Sequence, residues 1–161
     1  MIFFKAKAIR TATLLFVALC SPAAFAQQKL ELFSKVEAAF KQHEPVWKIE
    51  NINEQTPGHW SFAFRNGKRQ AAVDLMIWNS PQQAHEIFDG QVIAFENQRG
   101  HAVKRTVANL GDENYMWTNR GSEAWPTIMF RKGSVFVTVF APSVTIARRF
   151  AQHVIEQVKE G

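Results

Sequence analysis

The chain has 161 residues, 47% of them hydrophobic and 12% aromatic, with 19 Lys+Arg against 14 Asp+Glu and a formal net charge of +5. That much apolar surface excludes a disordered polymer and suits a domain that buries its own core. The single cysteine, Cys20, excludes an internal disulfide and a cysteine-clustered metal site.

The chain opens on Lys5, Lys7 and Arg10, an apolar run from Ala12 to Cys20, a helix-breaking Pro22 and the small-residue triplet Ala24-Phe25-Ala26. This is the layout of a secretory signal peptide, with cleavage expected after Ala26 and a periplasmic or secreted destination. The run is about half of the roughly 20 residues that span a membrane, so no transmembrane anchor is expected after processing. A lipid-bearing Cys20 is the rival reading, and Leu19 stands where that signal has a small residue. Without residues 1–26 the charge falls to 16 basic against 14 acidic residues. The basic balance then belongs partly to export, and no nucleic-acid partner is inferred from it. Residues 27–161 are read as one α+β domain.

Leu32, Phe33, Val36, Ala39 and Phe40 recur at helical spacing, predicting a short helix ended by Pro45. A short strand over Val46–Ile52 follows. In HWSFAFRNGKRQAAVDLMIW, Asn66-Gly67 suits a two-residue hairpin turn, which pairs Arg65 with Lys68, Phe62 with Ala71 and Trp60 with Val73. Trp60, Phe62, Phe64, Val73, Leu75 and Ile77 then share the core face. Ser61, Ala63, Arg65, Ala72, Asp74, Met76 and Trp78 share the other.

Ser80, Pro81 and Gln83 form a helix start of capping-box type. Ala84, Ile87, Phe88, Val92 and Phe95 give its buried stripe, and Gly100 its end. Strands are expected over Ala102–Ala108 and Tyr115–Thr118, with a turn at Asn119-Arg120-Gly121. A second hairpin joins Trp125–Phe130 to Ser134–Phe140 across Arg131-Lys132-Gly133. Its last strand is apolar on both faces and should lie centrally, covered on both sides. Ala147, Phe150, Ala151, Val154 and Val158 predict a C-terminal helix. The total is a mainly antiparallel sheet of about six strands with three helices.

The loop LGDENYMWTNRG, Leu110 to Gly121, gathers two carboxylates, a tyrosine and a tryptophan in a dozen residues and looks most like chemistry. Its spacing does not fit a calcium loop, and the plainer reading makes it a turn: Gly111 permits the bend, Asp112 bonds nearby backbone, and Tyr115 and Trp117 enter a strand on one face. NLGDENYMW, the hairpin MFRKGSVFVTV and a helix with ARRFAQHV together resemble small secreted or lipid-anchored bacterial domains of PsbP-like (Mog1/PsbP) type. The resemblance covers about Asn109 to Val158 and implies an α/β/α sandwich without a shared catalytic set. Asn114 stands where that pattern has a small residue.

The five histidines show no local zinc spacing. His85 and Asp89, one helical turn apart, are read as a solvated helix face rather than ligands of a shared ion. No nucleophile elbow or phosphate loop occurs, and Gly121-Ser122-Glu123 reads as a turn. Neither cofactor nor metal is expected. Arg99, His101, Lys104 and Arg105, with Arg148-Arg149 on the last helix, form a basic set for an anionic partner if the fold unites them; otherwise they are a charged edge that discourages strand association. Trp78, Trp117 and Trp125 are candidate stacking residues, one or two of them open. The expected binding residues are therefore Trp78, Arg99, His101, Lys104, Arg105, Asp112, Tyr115 and Trp117.

These readings favour an exported, non-catalytic binding protein, of inhibitor or immunity type, that docks an envelope or secreted protein through an open sheet face or loops. One alternative is a small-ligand carrier with a pocket between sheet and helix, walled by residues among Trp60, Met76 and Trp78. Another is a hydrolase using Asp112 or Glu113 as general acid or base.

Overall fold

A computed structural model describes residues 22–98, 103–118 and 125–158. The elements run α1 (Pro22–His43), β1 (Lys48–Thr56), β2 (His59–Asn66), β3 (Arg69–Ile77), α2 (Pro81–Gln98), β4 (Val103–Arg105), β5 (Glu113–Thr118), β6 (Thr127–Lys132), β7 (Val135–Phe140) and α3 (Val144–Gln157). The strands form one antiparallel sheet in the order β1-β2-β3-β7-β6-β5-β4. The class is α+β as expected, with seven strands among the described residues rather than six. The shortest is β4, three residues long at one edge.

Period-two alternation makes the two faces different. On one, Trp60, Phe62, Phe64, Val73, Leu75 and Ile77 are buried with Val36 and Phe40 of α1 and Phe150, Ala151 and Val154 of α3. Phe40 joins the layers, its ring 4.7 Å from that of Phe64 and 5.1 Å from that of Phe150. On the other, Phe88 and Val92 of α2 close over Trp117, Met129 and Phe136. Strand β7 is the middle strand and is buried on both sides, as its near-continuous apolar sequence, interrupted by Thr138, requires.

The first hairpin keeps its faces but not its expected register. Trp60 pairs with Leu75, Phe62 with Val73 and Phe64 with Ala71, a slip of two residues from the expected partners. Asn66 pairs with Arg69, so the turn residues are Gly67-Lys68. Gly67 has φ +61 and Lys68 is not left-handed, so glycine occupies the first turn position, as in a II′ turn. A slip of two preserves side-chain parity, which is why the core assignment survives. The second hairpin turns on two residues rather than the three expected, pairing Lys132 with Val135 about Gly133-Ser134.

Among the described residues helix α1 runs from Pro22, upstream of the short helix expected and across the expected cleavage point. The strand expected over Val46–Ile52 runs instead from Lys48 to Thr56. The cap of α2 forms: Ser80 Oγ accepts from Gln83 N at 3.1 Å, and Gln83 Oε1 accepts from Asn79 N at 3.3 Å. Of the strand expected over Ala102–Ala108, only Val103–Arg105 is paired. Downstream, Asn114 fastens the chain instead, since its side chain accepts from Val107 N at 2.6 Å and donates to Leu110 O at 2.7 Å.

Both sheet edges are poor templates for strand addition. β4 is short, and β1 carries two irregularities in register and mostly polar, exposed residues.

Candidate functional site

Helix α2 packs mainly on β6 and β7, with Met76 of β3 against its apolar cluster, and leaves the same side open at Ala63 of β2 and Ala72 of β3. Two arrangements result: a polar cluster where α2 meets β5, and an open stretch of sheet beside the helix.

The polar cluster is built on LGDENYMWTNRG. Gly111, at φ +71, brings the backbone against β6, where Asp112 N donates to Arg131 O at 2.7 Å. Asp112 Oδ2 accepts from Gly133 N at 2.8 Å and from Arg131 Nη1 at 3.1 Å. Arg131 Nη2 donates to Glu113 Oε1 at 3.0 Å. Glu113 Oε2 lies 3.0 Å from His85 Nδ1, and His85 Nε2 lies 3.6 Å from Asp89 Oδ2. A helix, a loop and a hairpin turn thus share one chain of charges.

Burial pushes the Glu113 carboxyl up. Hydrogen bonds from Arg131 and His85, with the attraction of both, outweigh burial and hold it below its ordinary value of 4.5. A carboxyl whose folded value is lowered contributes stability above its unfolded value and loses it as pH falls through the folded one. Glu113→Gln should therefore lower the melting temperature at neutral pH, and the difference from wild type should close as acid carries the solution below pH 4.5. Thermal melts of both proteins from about pH 7 to about pH 3 check this.

Asp112 is thus the turn residue its sequence suggested. Tyr115 and Trp117 do share a face, with Lys104 Nζ 3.6 Å from the Tyr115 ring centre and 2.7 Å from Glu96. Trp117, however, is a core residue at 2% exposure under Phe95 and α2, which corrects its assignment as a contact. Arg105 is exposed on β4, and Arg99 and His101 lie outside the described residues, as do Gly100 and residues 119–124. Lys104 and Arg105 are not united with the last helix. Arg149 lies on the opposite side of the sheet, where it holds the buried Glu44 with His153, whose Nε2 is 3.0 Å from Glu44 Oε1.

That Glu44 cluster went unseen in the sequence. Its partners are 105 and 109 positions away, and only the acidic residue in the helix-ending QHEP hinted at it.

The open stretch has a floor of Ala63, Ala72 and Phe140, and a groove of about 310 Å³ lies on it beside Trp125, Glu50 and Gln70. Trp125 is 49% exposed and has φ +54, a left-handed conformation that strains a bulky residue. Trp78 is half-buried and lines a separate cavity of about 170 Å³ with Met76 and His59, whereas Trp60 lies in the core and takes no part. A larger cavity of about 470 Å³ lies between α1 and the sheet, lined by Phe25, Leu32, Ile77, Val135 and Val158 with Lys29 and Lys35.

No family model matches this chain, and comparison with curated proteins and with solved structures gives no significant match. No helix among the described residues is long and apolar enough to cross a membrane.

Proposed function

We propose that this is an exported, non-catalytic binding protein of the bacterial envelope, of inhibitor or immunity type, which docks a partner protein on the open half of its sheet. The carrying observation is the groove beside Trp125: small side chains make an apolar floor, and an exposed tryptophan is held in a strained backbone at its rim. Backbone strain of about 1–3 kcal/mol persists where surrounding structure enforces it, and it gathers at functional positions. A groove of this size takes one large apolar side chain, the anchor expected at the centre of a protein interface. The polar, irregular edges favour the face over strand addition. Kinship with the PsbP-like domains belongs to the same proposal, and the helix layers on both sides of the sheet support it.

The polar cluster supports the non-catalytic reading. A general acid at neutral pH needs a raised carboxyl, whereas Glu113 is lowered and tied to Arg131, and Asp112 is engaged by a turn.

Ala72→Arg should fill the groove without disturbing the core, because Ala72 faces away from it, and Trp125→Ala should remove the rim. Capture of one envelope protein at fixed stoichiometry by wild type should weaken at least tenfold in either variant at unchanged melting temperature. Equal capture by all three would overturn the docking surface. Ester or cell-wall hydrolysis lost in Glu113→Gln would overturn the non-catalytic reading.

The cavity between α1 and the sheet favours a second reading, a carrier of a small apolar ligand with an acidic group. Its volume is in the range of ligand sites, and Lys29 stands on its wall for the acidic group, while Lys35 there is paired with Glu31. Phe25 is part of that wall, so cleavage after Ala26 would open it. A persistent added mass in native mass spectrometry of the purified protein would favour this carrier; equality with the bare chain mass would exclude it.

A further inference from the structure

We propose that His85, Asp89 and Glu113 form a binding site for a first-row divalent transition cation, with Zn²⁺ as the representative ion. One ligand atom from each residue lies within 4.8 Å of the other two. Imidazole with two carboxylates suits this class of ion, and the ring nitrogen selects it over Mg²⁺ and Ca²⁺, which prefer oxygen alone. The site is unrelated to the sheet-face groove and does not depend on it.

Three features beyond residue type support the assignment. Glu113 is held as ligating carboxylates are held by hydrogen bonds to their other oxygen: Arg131 binds Oε1 and leaves Oε2 turned toward His85. Arg131 is itself fixed, at 11% side-chain exposure, by Asp112 and by Gly133 O at 2.8 Å. The local charge is also unbalanced. Asp112 and Glu113 share the one Arg131 guanidinium and Asp89 adds a third carboxylate beside His85, so an added cation offsets excess negative charge.

The donors are accessible as well. His85 and Asp89 side chains are 41% and 57% exposed, so an ion enters from solvent, and Asp89, which meets the ring at Nε2, has to turn toward the Nδ1 side to join Glu113 on it. In tetrahedral coordination, ligands about 2.0–2.1 Å from zinc stand roughly 3.3 Å apart. His85 Nδ1 and Glu113 Oε2, at 3.0 Å, need to part by only a few tenths of an ångström. Three protein ligands leave one position for water or for a group of another molecule.

Isothermal titration of the EDTA-stripped protein with ZnCl₂, alongside a thermal shift, tests the site, with MgCl₂ as the comparison. One Zn²⁺ per chain is expected, with a raised melting temperature and no response to Mg²⁺. His85→Ala should weaken binding at least tenfold while staying folded in EDTA, its melting temperature there lowered modestly by loss of the hydrogen bond to Glu113. Asp89→Asn, another exposed change, should weaken it too. His153→Ala should leave it intact, which separates the site from the stacked His43–His153 pair, whose rings are 5.3 Å apart. Absence of Zn²⁺ binding, equal affinity in His85→Ala, loss in His153→Ala or an equal response to Mg²⁺ would each overturn the proposal.

Discussion

Gly111→Ala should destabilise the protein by about 3 kcal/mol, roughly 10 °C in melting temperature. Two costs add at this position. The backbone is left-handed at φ +71, and a Cβ placed there would stand 2.3 Å from Arg131 O, an atom of the β6 backbone. That carbonyl accepts from Asp112 N and cannot withdraw without breaking the link that carries Asp112 to the β6–β7 turn. Gly67→Ala isolates the first cost. Its φ is +61, yet nothing lies within 4 Å of the added carbon, so about 1 kcal/mol is expected. Denaturant melts of the two variants check the difference, and equal losses would show that the close approach at Gly111 contributes nothing.

The Glu44 cluster gives the second large effect, and its asymmetry is the informative part. Glu44 is 2% exposed, whereas the Arg149 side chain that holds it is 46% exposed. Arg149→Met strands a carboxylate in the interior beside His153 and should cost about 3 kcal/mol. Glu44→Gln frees a guanidinium that can turn to water, and an amide still meets part of the hydrogen bonding. That change should cost about 1 kcal/mol. Chemical denaturation of both at neutral pH reads the order directly; a larger loss in Glu44→Gln would mean that the carboxylate is not confined as its burial implies.

Local pattern carried the fold far, because alternation and helical spacing are local properties of the chain. The inward faces of β2 and β3, the cap at Ser80 and the central place of β7 were legible from side-chain type alone. The hairpin register was not, because Asn66-Gly67 and Gly67-Lys68 both provide a turn, and only the backbone decides where glycine sits. Trp117 shows a different limit: in a strand, a tryptophan beneath a helix and one facing solvent have the same sequence signature. The basic set failed for a topological reason, since Arg149 and Lys104 lie on opposite sides of the sheet. The polar cluster was half legible. His85 and Asp89 are one turn apart on a helix and were visible as a pair, but Glu113 arrives from β5, 28 residues after His85, and no local spacing announces it.

The docking proposal rests on the open half of the sheet, and photo-crosslinking within the envelope tests it most directly. A photoreactive side chain at position 72 lies on the floor of the groove; one at position 148 lies exposed on α3, across the sheet. One protein adduct from position 72, absent from position 148 and lost when Trp125 is changed to Ala, is the expected result. Adducts from position 148 with none from position 72 would place the contact surface elsewhere and contradict the proposal.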